Sequence, residues 1–289
     1  KEYLAQGFTA LKFDPIPYGT FDPRQPSLEM MERAEQFCKA LREVCGTKAD
    51  LLFGTHGQFT TSGAIRLARR LEAYDPLWFE EPTPADMPEE MAIVARQTTI
   101  PIATGERLSS KYEFARVLEL RAAHILQMAI SRVGGLMETK KIAAMAETKY
   151  AQIAPHLYCG PVEAAANVQL AASIPNFLVL ESIETFGGFY GALVKNKIKW
   201  DNGYVIPSRE PGLSRWSAAR LDHRSRCRCG RNDEAQTNGM TLPLWTGKEE
   251  ILPRDGSALL LRNFLGNPRA DESFDSLTNE VPWESHDLM

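Results

Sequence analysis

Neither a G-x-G-x-x-G loop nor a G-x-x-x-x-G-K-[ST] loop occurs in the 289 residues, which removes the usual dinucleotide and P-loop phosphate cradles. No apolar run reaches the roughly 18 residues that a bilayer crossing needs. Neither sign of charge dominates. With 33 Lys+Arg, 37 Asp+Glu and a net charge of −4, nothing pulls the chain toward nucleic acid or an anionic membrane. The cysteines are few and irregular. Cys38, Cys45, Cys159, Cys227 and Cys229 form no evenly spaced framework, so free thiols in a reducing, cytoplasmic setting are expected. No signal peptide is read at the start, and no initiator methionine. Lys1 to Gly7 reads as the last turns of a helix closed by glycine, so the expectation is that an N-terminal portion precedes this sequence.

What is present is a rhythm. The chain is 44% hydrophobic, enough for a sizeable core. β-prone apolar segments recur at Thr9 to Phe13, Leu51 to Phe53, Leu77 to Phe79, Ile100 to Ala103, His124 to Gln127, Ala151 to Ala154 and Phe177 to Leu180. Helical patterns fill the gaps. Over Ser62 to Tyr74, Ile65, Leu67, Ala68 and Leu71 share one side, with Arg66, Arg69 and Arg70 toward solvent. Over Met137 to Lys149, Ile142, Ala143 and Met145 turn inward. Ser109-Ser110 and Gly134-Gly135 read as helix-start loops. Alternating strand and helix predicts a parallel sheet, and seven units at this period favour a (β/α) TIM-like barrel over an open doubly wound sheet.

Barrel chemistry sits at the carboxyl ends of the strands. Lys12, Asp14, His56, Glu80, Glu106, Gln127, His156 and Glu181 all fall at those ends. Glu80 and Glu106 lie 26 residues apart, each closing an apolar segment, which is the placement two carboxylate ligands of a divalent metal require. One repeat earlier a third acid is expected, and the chain has Gly54.

Gly7-Phe8-Thr9-Ala10-Leu11-Lys12, Trp78-Phe79-Glu80-Glu81-Pro82, Ala103-Thr104-Gly105-Glu106, the Gly134-Gly135 pair and Ala154-Pro155-His156 together resemble the enolase superfamily. Specifically they resemble its mandelate racemase-like branch, which includes sugar-acid dehydratases of the galactonate dehydratase type. The resemblance covers roughly residues 5 to 212. It implies an enolase-type C-terminal barrel, here incomplete at its N-terminus and lacking the capping domain. It also implies Mg²⁺, held by acids at the ends of consecutive strands, and a base that removes the proton α to a carboxylate.

By that resemblance Glu80 and Glu106 match metal ligands. His156 matches the general base, and His56 the general acid for the departing hydroxyl. Lys12 matches the first lysine of Lys-x-Lys, with Asp14 in place of the second. Glu181 matches the acid that hydrogen-bonds a substrate carboxylate oxygen. Glu181 and Asp14 are therefore expected at the substrate, and Asp14 is a candidate substitute ligand. Ala129 stands where the family has the aspartate that orients the catalytic histidine.

The expected function is Mg²⁺-dependent dehydration of a small-molecule sugar acid, by a homo-oligomer in the full-length form. A racemase or cycloisomerase on the same scaffold is the alternative. So is a catalytically impaired relic or gene fragment, which Gly54 and Ala129 favour. Residues 1–212 are expected to be the barrel domain. Residues 213–289, with Arg215, Arg220, Arg224, Arg226, Arg228 and Arg231 crowded together, are expected to be an irregular or disordered tail not native to the fold. The Cys227-x-Cys229 pair lacks the spacing of usual structural zinc sites.

Overall fold

The computed structural model describes residues 1–16, 24–182, 186, 190–191, 194, 198–209, 213, 248–250 and 259–261. The chain divides into two compact units, Lys1–Arg226 and Cys227–Met289.

The first unit begins with a short helix, α1 (Glu2–Ala5). Its end is closed by two bonds, from the Gly7 amide to the Leu4 carbonyl and from the Phe8 amide to the Tyr3 carbonyl. This is the Schellman pattern, with Gly7 in the positive-φ position it requires (φ 90°). Strands and helices then alternate. They are β1 (Ala10–Phe13), α2 (Leu28–Cys45), β2 (Asp50–Gly54), α3 (Thr61–Leu71), β3 (Trp78–Glu80), α4 (Pro88–Gln97) and β4 (Ile102–Thr104). There follow α5 (Lys111–Leu120), β5 (Ile125–Leu126), α6 (Leu136–Glu147), β6 (Gln152–Ile153) and α7 (Pro161–Ala171).

The helix starts follow from local chemistry. Ser27, Thr60 and Ser110 each accept a bond from a first-turn amide, and Ser110 forms a full capping box with Glu113. Pro88 and Pro161 open α4 and α7, where a missing N–H costs nothing.

All six strands are parallel, and their spatial order is their chain order. The result is a curled half-barrel, so the barrel expected from the rhythm is observed in this form. Six of the seven expected strands are present. The last, Phe177 to Leu180, is reduced to a parallel bridge between Ile153 and Phe177.

Side chains alternate between the two faces of the sheet. Leu52, Trp78, Ala103, Ile125 and Ala154 form one buried cluster. Their chain neighbours Phe53, Phe79, Ile102, Leu126 and Ile153 join the large cluster that also holds buried residues of α2 to α7. In α3 the buried face is Ala64, Leu67, Ala68 and Leu71, while Ile65 is half-buried, one position off the expected stripe. Arg70 is also not fully in solvent, being half-buried against Glu35 at 3.3 Å.

A feature the rhythm did not reveal is the antiparallel hairpin β7 (Lys199–Asp201) and β8 (Tyr204–Ile206). Its turn residues, Asn202 and Gly203, both have positive φ (47° and 82°), the geometry of a tight hairpin turn. The turn lies directly on Gly7, where any Cβ would strike the Asn202 backbone.

Cys38 and Cys45 are buried and Cys159 half-buried, all as free thiols. No helix among the described residues is long and apolar enough to cross a membrane.

In the second unit, β9 (Lys248–Glu250) and β10 (Leu259–Leu261) pair antiparallel. The rest of the expected irregular tail, including the arginine-rich stretch and Cys227 and Cys229, lies outside the described residues.

Candidate active site

Each expected site residue lies near the carboxyl end of a strand of the sheet or, for Glu181, beyond the Phe177 bridge, so parallel pairing brings them to one end. Lys12 lies in β1 and Asp14 just beyond it. Gly54 closes β2, with His56 two residues on. Glu80 closes β3, Glu106 follows β4, Gln127 follows β5 and His156 follows β6. Glu181 follows the Phe177 bridge.

Lys12 is the hub. Its ammonium lies 2.9 Å from Glu80 Oε1 and 2.6 Å from Glu181 Oε1. Burial alone pushes Lys12 down, but the two carboxylates outweigh it and hold the ammonium well above the ordinary lysine range. The two acids shift in opposite directions although they share this partner. Glu80 is only 2% exposed, so burial raises it despite Lys12 and a 2.7 Å bond from Gln127 Nε2. Burial also acts on Glu181. There it is overcome by Lys12, His156 and the Leu157 amide, which donates at 2.7 Å, so Glu181 stays below the usual carboxylate range.

His156 completes the chain of contacts. Its Nε2 lies 3.4 Å from Glu106 Oε2 and 3.9 Å from Glu181 Oε2. Its Nδ1 is buried without a hydrogen-bond partner among the described residues. Ala129 is buried and apolar, so its side chain can offer that nitrogen no hydrogen bond. On the other flank His56 Nδ1 lies 3.6 Å from Asp14 Oδ2. A Cβ placed on Gly54 would lie 3.1 Å from Asp14 Oδ1 and 3.7 Å from Glu80 Cβ. A carboxylate from just beyond β1 thus borders the space that a residue-54 side chain would enter. Burial raises Asp14, partly offset by His56 and Lys12.

Gly105 makes the approach of β4 and β5 possible. At φ 143° any Cβ there would press within 2.9 Å of the Gln127 backbone. Two further residues belong to the site and were not anticipated. Glu81, read from sequence as a neighbour of Glu80, is fully buried, and its φ of 41° folds it inward. Burial and then the Glu106 charge push it up to about 8. Arg107 Nε lies 3.2 Å from Glu81 Oε2 and 3.5 Å from Glu106 Oε1. The available signals were the paired Glu80-Glu81 and the cation directly after Glu106.

Among the described residues no group of three or more His, Cys, Asp or Glu side chains is arranged to hold a metal ion.

A sequential parallel half-barrel with acids, a lysine and two histidines at its carboxyl end defines the class: a (β/α)-barrel scaffold. The particular family follows from comparison. Residues 1–215 match the enolase C-terminal domain-like family, and the chain belongs to it.

The chain is 35% identical over 214 residues to D-xylonate dehydratase of Haloferax volcanii, covering 72% of this chain and 51% of that protein. It is 33% identical over 213 residues to D-gluconate/D-galactonate dehydratase of Picrophilus torridus, covering 74% and 54%. A solved structure from Labrenzia alexandrii DFL-11, assigned to the mandelate racemase/muconate lactonizing enzyme group, is 68% identical with a TM-score of 0.72. That match covers 74% of this chain and 55% of the other. The chain spans about half the length of the curated relatives it matches.

Proposed function

We propose that this chain is the barrel portion of a Mg²⁺-dependent dehydratase acting on a small sugar acid. The observation that carries the reading is the unbroken set of contacts joining Glu106, His156, Glu181, Lys12, Glu80 and Gln127 at one end of the sheet. The names of the Haloferax volcanii and Picrophilus torridus relatives, both sugar-acid dehydratases, support the substrate class.

The donor set suits a hard cation. Glu80 and Glu106 supply carboxylate oxygens, and Mg²⁺ is commonly held by one or two carboxylates, with water and substrate oxygens completing its shell. Gln127 Oε1, buried without a hydrogen-bond partner among the described residues, offers a neutral oxygen on the side chain that already binds Glu80. Asp14, in the space Gly54 leaves open, is the first place to look for a third acid. When bound, Mg²⁺ supplies positive charge to the oxygen that becomes anionic as the α-proton leaves.

The remaining steps belong to the chain's own residues. His156 takes the proton from the carbon α to the carboxylate, and the Glu106 and Glu181 charges beside its Nε2 stabilise the imidazolium that forms. His56 gives a proton to the hydroxyl leaving the β-carbon, which departs as water. The enol so formed tautomerises to a 2-keto-3-deoxy acid. Lys12 engages the substrate carboxylate. Glu181, held ionised, accepts bonds and steadies that ammonium rather than donating to the substrate.

Racemisation on the same scaffold needs a second base. Lys12, kept protonated between two carboxylates, is poorly suited to that role.

The test is calorimetric titration of Mg²⁺ into the folded protein beside Glu80→Gln and Glu106→Gln. Binding should be present in the parent and lost in both variants. A screen of aldonates and aldarates with Mg²⁺, using the full-length protein, should then yield 2-keto-3-deoxy products. Absence of binding in a folded parent sinks the metal assignment. Binding without any keto product across the screen removes dehydration.

A further inference from the structure

We infer that Arg107 is a positioning residue that fixes the His56 loop from the neighbouring strand end; the inference deepens the proposed dehydratase reading and rests on it for the role of His56. Arg107 spans two strand ends. Its Nη1 donates to the His56 carbonyl at 2.8 Å, while its Nε faces Glu81 at 3.2 Å and Glu106 at 3.5 Å.

The loop it grips needs holding. His56 has φ 51° and Gly57 φ 68°, two successive left-handed residues, and this conformation is unfavourable for a residue carrying a Cβ. The loop is also bonded to the β3 end. The Gly57 amide and the Thr55 hydroxyl both donate to the Glu81 carbonyl, at 2.7 and 3.0 Å. Glu81 therefore works twice. Its backbone receives the loop, and its fully buried carboxyl group faces the guanidinium that holds the His56 carbonyl. Only a planar fork can serve a carboxylate through one nitrogen and a carbonyl through another, and a lysine ammonium has no such geometry. In this arrangement the imidazole of His56 stays beside Asp14, 3.6 Å away.

The test needs no substrate. The whole chain is labelled in its histidine rings, and the His56 resonance is assigned by its disappearance in His56→Gln. In Arg107→Ala the His56 resonance should shift or broaden. Amides 55–57 should lose hydrogen-exchange protection by on the order of tenfold, the scale of one charge-assisted hydrogen bond. The His124 resonance, from the residue just before β5 at the opposite end of the strands, serves as the control and should stay in place. Arg107→Lys should behave like Arg107→Ala; full rescue by lysine would overturn the claim that the fork geometry matters. An unchanged His56 resonance and unchanged protection in Arg107→Ala would overturn the inference outright. If Arg107→Ala does not fold, Glu81→Leu removes the carboxyl oxygens that face the guanidinium while keeping the side-chain bulk. It should loosen the same three amides, and no change there would also overturn the inference. Failure of the sugar-acid screen would remove the dehydratase reading but leave these readouts intact, so the two failures are distinguishable.

Discussion

A lysine wedged between two carboxylates is a counter-charge before it is anything else. Replacing Lys12 by Met leaves Glu80 and Glu181 buried without their shared partner, and loss of one member of a buried pair costs about 3 kcal/mol. The urea midpoint of Lys12→Met should fall accordingly at neutral pH. The pH dependence has a definite sign. Glu181 is depressed below its ordinary 4.5, so its contribution is present above that value and is lost as pH falls through the lower folded value. Lys12 is raised, so its contribution persists through the ordinary lysine range and fades only above it. The gap between parent and variant should therefore narrow on the acid side and hold across neutral and mildly alkaline pH. A gap that widens below pH 4.5 would refute this account. Lys12, Glu80 and Glu181 were legible because charged residues stood at matching points of an apolar rhythm. Glu81 and Arg107 were not. Whether the second of two adjacent acids faces solvent depends on a backbone angle, here φ 41° at Glu81, that no spacing encodes.

At the level of elements, the strongest local signals were punctuation. Ser110 was readable as a helix start, and the structure adds its reciprocal bond with Glu113. Glu113 is held below its ordinary value, burial being outweighed by the Ser109 and Ser110 donors. Ser110→Ala should cost about 1 kcal/mol in thermal or urea unfolding. A loss within a few tenths would mean that packing of Phe114 and Val117 sets the start of α5 without the cap. The strands were legible because most of their residues form apolar runs, buried throughout in β3, β4 and β5. The segment after Phe177 fits that pattern in sequence, yet forms only a bridge, because neither apolarity nor period reports whether a neighbouring strand is there to pair with. The β7–β8 hairpin was missed for the opposite reason. Its strands are short and mostly exposed, so they carry no burial pattern, and only the Asn202-Gly203 turn announced them.

Across the first unit, stability depends on the sheet having two apolar faces. Phe53 and Phe79, from adjacent strands, stack at 4.4 Å between ring centroids and are fully buried in the cluster shared with the helices. Trp78 and Leu52 do the same for the other face. Because successive residues feed different clusters, a cavity opened at Phe79 cannot be filled from the Trp78 side. The strand would have to slip by one residue, which would exchange the faces of every side chain it carries. Phe79→Ala should therefore show the full cost of an unrelaxed cavity, about 3–5 kcal/mol. The same cluster includes buried residues of α2 through α7, so that loss should not stay local. The urea midpoint followed by far-UV circular dichroism and the exchange protection of amides in both α3 and α6 should fall together, as they do when one cooperative unit unfolds. Loss confined to β3 and its two neighbouring strands, with α6 still protected, would show that the half-barrel melts in sections and that its helices are not held by a common core.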